Sequence, residues 1–335
     1  MMGKVKKVTS NHLFLPLFAL ALLLVFNAFA TPGFFAIEFQ NGQFYGRIID
    51  ILNRASILVI LSMGMTFVIA TGGIDISQGS VIAISGAICC SLIGGAGDGT
   101  ANMPLLPACL IAVLVCALCG VWNGFLVSKL KIQPMVATLI LLTAGRGIAM
   151  LITKGQNVTV YYEPFTYIGT TIPGSPLPTT IFIAALMVLF VVLIQKKTSV
   201  GLFVQAVGIN AKASETAGIS IAKVMIIAMC VSGGIAGLAG ANQVLGVDRR
   251  LINNFSPGYG FNGIAVAALA SDNPIGVILA GTVFGLLSTG ATELNRTTSV
   301  PVEFVGVIQA MVVIFVAAPL LIRDILHIDG KRRNK

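Results

Sequence analysis

Charged residues are scarce in this sequence: Lys, Arg, Asp and Glu together make up 10% of its 335 residues, whereas soluble domains average about 25%. Hydrophobic residues make up 56%, and the mean hydropathy is +0.95. A chain with so few charges cannot cover a surface that faces water, so lipid must surround most of it. Because the apolar runs are continuous, we predict one all-α, polytopic membrane domain over residues 1–335 and no soluble domain.

The motifs of an enzyme are also missing. The sequence has no G-x-x-x-x-G-K-[ST] phosphate loop, so this polypeptide does not hydrolyse ATP itself. It has no H-E-x-x-H, no G-x-S-x-G and no paired carboxylates in its apolar runs, and its histidines, His12 and His327, lie at opposite ends. All cysteines lie in apolar runs, where Cys116-x-x-Cys119 is typical of helix packing rather than of metal binding. We predict no catalytic residue, no metal site and no cofactor bound by this chain, with ATP acting through a partner subunit.

Ten apolar segments approach the length of about 20 residues that a membrane-spanning helix needs. The first, which we place as a helix at 12–30, ends in Ala28-Phe29-Ala30, the form of a signal cleavage site. Its apolar run of about 18 residues is long for a signal peptide, so we predict an uncleaved helix. The eighth segment is short and contains glycine, which leaves open whether it crosses fully or re-enters. The ten segments are 13–30, 48–70, 75–95, 104–128, 135–153, 179–195, 223–244, 258–271, 274–291 and 301–321.

Basic residues indicate the orientation of the chain, because cytoplasmic loops of membrane proteins carry an excess of Lys and Arg. With ten crossings and a cytoplasmic N-terminus, 14 of the 21 basic residues lie inside, six lie outside and Arg146 lies within a span. Nine crossings would place the basic tail Lys331–Lys335 outside. We therefore predict about ten transmembrane helices, with the N- and C-termini cytoplasmic.

Two connecting segments are long enough to interact with other proteins. The external segment 154–178 is polar and carries four prolines, which suits a cap or a docking surface. The cytoplasmic segment 196–222 contains Ala211–Ala217, whose composition favours a short helix with Asn210 as its N-cap and Gly218 as its stop. This helix is either a solvated connector or a coupling helix that docks into a cleft of a partner ATPase.

Polar residues inside or next to the apolar segments are candidates for the solute pathway. The glycines at 72 and 73 end one helix, and Asp75 or Ser77 can cap the next helix or contact the solute. Arg146 is the charge deepest in the membrane, so it must face a partner, backbone carbonyls or water, unless it snorkels to the surface. Gly233 and Gly237 form a G-x-x-x-G, which allows close helix packing. The candidate pathway residues are Asp75, Ser77, Asn123, Arg146 and Asn242.

Several motifs together resemble a known family. The segment 49–55, which reads I-D-I-L-N-R-A, and the segment 70–77, which reads A-T-G-G-I-D-I-S, are similar to monosaccharide permeases, above all those of the galactofuranose type. Over residues 45–320 the chain resembles the permease subunits of ribose- and galactofuranose-type simple-sugar ABC importers. That family also holds branched-chain amino acid and nucleoside permeases. The resemblance extends to Met63–Thr66, Trp122–Gly124, Lys131–Leu139, Gly145–Gly147 and Ala206–Asn210.

This resemblance implies a bacterial inner-membrane importer made of several subunits. Two permease chains, identical or related, would meet an ABC ATPase pair on the inside. A periplasmic or lipid-anchored binding protein would deliver the substrate on the outside. The residues expected to contact the ATPase are Gly208, Asn210, Ser214 and Glu215.

The resemblance leaves two substrate classes open. Most motifs imply uptake of a simple sugar, such as ribose or galactose in either ring form. The stretches 261–269 and 285–290 instead resemble nucleoside permeases, so a nucleoside is the alternative substrate. An ion-coupled secondary transporter is a third hypothesis, but it would need an acidic or histidine relay inside the spans, and only Asp75 is available.

Overall fold

The computed structural model describes residues 33–40, 42–94, 102–160, 176–248, 250–251, 258–270 and 273–297, with isolated positions at 20–29 and 306–311. Within these residues the fold is helical, as predicted, and its strands form two short antiparallel pairs. Strand β1 (Glu38–Gln40) pairs with β2 (Gln43–Tyr45), and β3 (Val158–Thr159) pairs with β4 (Arg250–Leu251). The described α-helices are α1 (Arg47–Ala70), α2 (Gln78–Ile93), α3 (Leu105–Ser128), α4 (Pro134–Ile152), α5 (Thr179–Lys197), α6 (Ser199–Ile209), α7 (Ala211–Thr216), α8 (Ile221–Asn242), α9 (Tyr259–Leu269) and α10 (Pro274–Thr297).

Eight of the ten predicted spans coincide with a helix of the structure, from α1 at 48–70 to α10 at 274–291. Within the described residues, five helices are long and apolar enough to cross a membrane, namely α1, α3, α4, α5 and α8 with its π-helical extension to Val247. The predicted spans 12–30 and 301–321 lie outside the described residues, apart from isolated positions. Ten crossings and the orientation of the termini therefore remain predictions.

The most extensive helix contact is the antiparallel crossing of α3 and α8. A Cβ added at Gly120 of α3 would clash with the backbone of Met229, and one added at Gly233 of α8 would lie 2.5 Å from the carbonyl oxygen of Cys116. A Cβ at Gly237 would lie 2.6 Å from the side chain of the same cysteine. The predicted close packing at the G-x-x-x-G motif is confirmed, and Cys116 is part of that packing.

Helix α1 lies at the centre of the bundle. All its residues from Ala55 to Val68 are buried, and a helix that is covered on every side is expected in the core of a membrane bundle. Helix α10 packs antiparallel against it through small residues, since Gly281 meets Val59 and Gly285 meets Ala55. Among the described helices, α5, α6, α8, α9 and α10 pack around α1, which has no lipid-facing side along these residues.

The two ends of the bundle can be told apart by charge. The ends of α1 and α3 and the start of α4 meet in one apolar cluster that includes Val68, Val127 and Ala137. Gln195, near the end of α5, donates to Oγ1 of Thr66 in α1 at 2.9 Å, so α5 ends at the same side of the bundle. Helix α8 starts at this side, because it is antiparallel to α3. We call this end the basic end, and the positive-inside rule predicts that it faces the cytoplasm. It carries Lys129, Lys131, Lys196, Lys197, Lys212 and Lys223.

Two helices start inside the bundle rather than at its ends. The side chain of Gln78, at the start of α2, donates to Oγ of Ser232 at 2.7 Å, and Gly64 of α1 packs against the same serine. Helix α2 therefore begins level with Gly64, about 9 Å inside the end of α1 at 1.5 Å per residue. Helix α9 has 11 residues, a length of about 16 Å, which is half of a membrane core of roughly 30 Å. The predicted eighth span thus contains a half-length helix, and residues 252–257 before it lie outside the described residues.

Replacement of Gly233 by Ala tests the crossing of α3 and α8. The added methyl group would lie 2.5 Å from the Cys116 carbonyl oxygen and 3.0 Å from Cα of Gly120, so the helices must move apart, at a cost of about 1–3 kcal/mol. Gly234→Ala is the matched control, because its methyl group would meet nothing closer than 3.6 Å. We expect Gly233→Ala to lower the Tm of the detergent-solubilised protein and Gly234→Ala to leave it unchanged or raise it. Equal Tm values for the two variants would contradict this packing.

Candidate functional site

A buried carboxylate organises the segment 71–77 between α1 and α2, which we call the break. Oδ1 of Asp75 accepts hydrogen bonds from the backbone N–H of Ser77 at 3.0 Å and from its hydroxyl at 2.5 Å. Nδ2 of Asn123, on α3, donates to Oγ of Ser77 at 2.8 Å. All three residues are at most 1% exposed. Asp75 therefore holds the turn that precedes α2, whereas Ser77, the N-cap residue, makes no side-chain hydrogen bond to the first turn of the helix.

Glycines allow the chain to leave α1 at this point. Gly72 has a φ of 79°, a left-handed conformation that glycine adopts at little cost. The N–H groups of Gly72 and Gly73 donate to the carbonyl oxygens of Ile69 and Val68 and so close the last turn of α1. The chain can then turn back into the bundle with its backbone groups paired, as burial requires.

Side-chain hydrogen bonds connect this break to three other helices. Asn123 provides the bond to α3, and Gln78 provides the bond to Ser232 of α8. Ser80 of α2 donates to the carbonyl oxygen of Leu141 in α4 at 3.0 Å. The break is therefore held in place from several sides, and a shift of α3, α4 or α8 would move the residues of the break.

Buried amide oxygens that have no hydrogen-bond donor among the described residues include Oε1 of Gln78, Oδ1 of Asn123 and Oδ1 of Asn242. A buried acceptor without a partner is costly, so these atoms mark positions where water or a polar solute would be stabilised. Gln78 and Asn123 belong to the break. Asn242 lies elsewhere, since its Nδ2 is 3.4 Å from Oγ of Ser56, which is eight residues, or about 12 Å, along α1 from Gly64.

Arg146 lies away from this cluster. The neighbouring Gly145 faces α2, where an added Cβ would lie 2.8 Å from Oγ of Ser80, whereas Arg146 is exposed on a different face of α4. It is twelve residues, or about 18 Å, beyond the start of α4 at Pro134, past the middle of a membrane core of roughly 30 Å. The structure thus brings together Asp75, Ser77 and Asn123, and it separates Asn242 and Arg146 from them.

The predicted cytoplasmic helix is present as α7, at the basic end. Asn210 is its N-cap, because Oδ1 accepts from the backbone N–H of Ala213 at 3.0 Å, and Gly218 follows the helix with a φ of 84°. Ser214 is 5% exposed and donates to the carbonyl oxygen of Asn210 at 2.9 Å. Glu215 is exposed. Asn210 and Ser214 therefore stabilise the helix itself, and Glu215 is available to a partner.

Sequence analysis missed α6, the helix that precedes α7. Its buried residues are Gly201, Val204 and Val207, and their spacing of three along one helix face was the signal that could have revealed it. Gly208 was expected to contact the ATPase, but a Cβ at this position would clash with the carbonyl oxygen of Ala70. Gly208 therefore allows α6 to pack on the end of α1, beside a cleft of about 340 Å³ between the two helices.

Around the break, the interior offers hydrogen-bonding groups. Among the described residues, no three His, Cys, Asp or Glu side chains lie together as a metal site would require. The buried polar groups around the break are amides and hydroxyls, together with the Asp75 carboxylate. Such groups can bind a neutral polar solute by hydrogen bonding.

Comparison with known proteins finds one matching family and several similar permeases. The model of the family described as "Branched-chain amino acid transport system / permease component" matches residues 47–317. The galactofuranose transporter permease protein YtfT of Escherichia coli (strain K12) is 37% identical over 324 residues, which cover 94% of this chain and 92% of that protein. No solved structure matches the chain significantly.

Two further relatives carry different substrates in their names. The ribose import permease protein RbsC of Escherichia coli (strain K12) is 29% identical and covers 83% of this chain and 85% of its own length. The guanosine ABC transporter permease protein NupP of Bacillus subtilis (strain 168) is 28% identical and covers 97% of this chain and 98% of its own length. The similarity therefore runs along most of the chain in both cases.

Replacement of Asp75 separates its role as a hydrogen-bond acceptor from its charge. Asn keeps an acceptor oxygen for the N–H and hydroxyl of Ser77, so we expect Asp75→Asn to keep most of the thermal stability. Asp75→Ala leaves the N–H and hydroxyl of Ser77 without their acceptor, so we expect it to cost about 1–3 kcal/mol, measured as a lower Tm. If Asp75→Asn were as destabilising as Asp75→Ala, the charge itself would be needed at the break.

Proposed function

Because this chain belongs to the family of the branched-chain amino acid transport system permease component, we propose that it forms half of the solute pathway of an ATP-driven importer in a bacterial inner membrane. Members of this family are transport permeases, so the chain is a multi-pass membrane transport subunit and not an enzyme. The similarity to a galactofuranose transporter permease along nearly the whole chain carries the proposal. A second permease chain, an ABC ATPase pair at the basic end and a binding protein at the opposite end would complete the importer.

We propose that the solute is a simple sugar. The permeases named for galactofuranose and ribose support this choice, and the neutral amides and hydroxyls of the interior suit the hydroxyl groups of a sugar. A nucleoside is the second candidate, because the guanosine permease matches almost the full length of the chain. Both solutes are neutral and polar, so the choice between them needs a direct measurement.

The exposed face of α4 supports a pathway that runs between two copies of the chain. Arg146 lies past the middle of the span, where a charged side chain facing lipid is costly. Snorkelling is disfavoured, because Cα–Cβ bonds tilt toward the N-terminus of a helix and the nearer surface for Arg146 is at the C-terminal end of α4. Thr143 and Gly147 are exposed beside it. A second chain, with water in the pathway between the two copies, would cover this face.

The outer side of α7 supports docking of an ATPase at the basic end. Glu215 is exposed there, while Asn210 and Ser214 fix the helix that presents it. Helix α7 contacts α6, and α6 packs on the end of α1, because Gly208 lets the backbones of α6 and α1 approach closely. A partner that binds α7 would therefore act on a rigid element connected to the centre of the bundle.

Reconstitution into liposomes tests the proposed function. With the ATPase and binding protein present, we expect uptake of radiolabelled sugar that stops without ATP. Vesicles that contain the chain alone should take up no sugar.

Glu215→Arg should lower both uptake and ATP hydrolysis stimulated by the binding protein, because it changes the exposed side of α7. Lys129→Glu is the control, since it reverses an exposed charge at the basic end outside α7 and should change neither uptake nor ATP hydrolysis.

Gradient-driven uptake by the chain alone would contradict the proposal and favour a secondary transporter. Competition by guanosine but not by sugars would favour a nucleoside as the solute.

Labelling of a cysteine at position 146 tests the pathway between copies. In a variant without the native cysteines, we expect Arg146→Cys to react with a membrane-impermeant thiol reagent, because water should reach this face of α4. Leu118→Cys is the control, because Leu118 lies in the middle of α3 and is 65% exposed on an apolar face that lipid should cover. If neither cysteine were labelled, lipid or protein would exclude water from the face of α4, and the proposed pathway there would be wrong.

A further inference from the structure

The β1–β2 hairpin has one apolar side that the described part of the chain leaves uncovered. Phe39 and Phe44 are directly paired across the hairpin, and their rings lie 5.2 Å apart. Ile37 falls on the same side, because side chains alternate along a strand. We call these three residues the apolar hairpin face. Ile37 is 50% exposed, Phe39 is 64% exposed and Phe44 is 37% exposed. The opposite side is polar and carries Glu38, Gln43 and Tyr45.

The hairpin is fixed at the end of the bundle opposite the basic end. Gly46 alone separates β2 from the first residue of α1. The N–H of Phe44 donates to the carbonyl oxygen of Pro176, just before α5, at 2.9 Å. Phe34, which precedes β1 in the sequence, is buried in a cluster with Ile51 of α1 and Leu286 of α10. The apolar hairpin face is therefore tied to the starts of two membrane spans and cannot move far from them.

The height of the hairpin follows from these connections. Helix α1 has 24 residues, or about 36 Å, so its ends extend beyond a hydrocarbon core of roughly 30 Å. Phe44 is three residues before Arg47, which limits their separation to about 10 Å. This distance places the hairpin in or beside the headgroup layer of the membrane. Aromatic side chains are enriched at that level, because it meets both water and acyl chains.

We propose that the apolar hairpin face inserts into the outer leaflet of the bilayer and anchors the start of α1 at the membrane surface. Its three side chains carry no polar group, and exposed apolar patches of this kind mark contact with a membrane or a protein. Lipid is always present at this height. A binding protein docks only for part of each transport cycle and would leave the face in water for the rest. The polar opposite side, in contrast, suits contact with water and headgroups, as in other amphipathic interfacial elements.

Tryptophan fluorescence of the full chain in lipid vesicles tests this proposal. The chain has one tryptophan, so Trp122→Phe provides a background into which Phe39→Trp is introduced. We expect lipids brominated near the top of their acyl chains to quench this tryptophan strongly, and its emission to be blue-shifted. Tyr45→Trp is the matched control on the opposite side of the hairpin, where Tyr45 is exposed, and we expect aqueous iodide, rather than brominated lipid, to quench it. Phe44→Trp supplies a second reporter of the apolar hairpin face if Phe39→Trp does not fold.

Two results would overturn the proposal. Quenching of Phe39→Trp by iodide as strongly as of Tyr45→Trp, with no effect of brominated lipid, would place the face in water. Protection from iodide that appears only after addition of the binding protein would assign the face to protein docking instead. The measurement needs neither ATP nor substrate, so its outcome is independent of the transport function proposed above.

Discussion

A polypeptide inside a bilayer must pair its own backbone hydrogen-bonding groups, because lipid offers no partners. The break between α1 and α2 meets this constraint with side chains that come from several helices. The N–H of Ser77 bonds to Asp75, and the N–H of Ile76 bonds to Oγ1 of Thr138 on α4. Without these acceptors α2 could not begin about 9 Å inside the bundle, and the contacts that α2 makes with α4 and α8 from that level would be lost.

The helices around the break are held by close packing of small residues. Lipid chains are as apolar as the side chains of the spans, so burial alone gives little attraction between helices in a membrane. Glycines of α3 and α8 let the two backbones touch, and glycines of α10 do the same against α1. Asn123 and Ser232, which bind the break, lie on α3 and α8. The tight crossing of these two helices therefore also positions the polar side chains that support the break.

The residues with proposed roles lie in three separate places. The buried group around Asp75 faces the inside of one chain, Arg146 faces away from that chain, and Glu215 is exposed at the basic end. This separation fits a subunit that has a stable interior of its own and meets its partners through other surfaces. Helix α6 connects two of these places, because it packs on the last turn of α1 through Gly208, just before the chain enters the break.

The sequence by itself determined the helices of most membrane spans, though not α6, because a span requires a long apolar run and most of the predicted runs match a helix of the structure. It also determined the cap of α7, because an N-cap bond joins residues only three positions apart, Asn210 and Ala213. The tertiary structure alone decided which way each helix is rotated and what its neighbours are. That rotation turned Arg146 away from Asp75, buried Ser214 and pressed Gly208 against Ala70. These outcomes depend on contacts between residues far apart in the chain, and the composition and spacing of a single segment do not contain them.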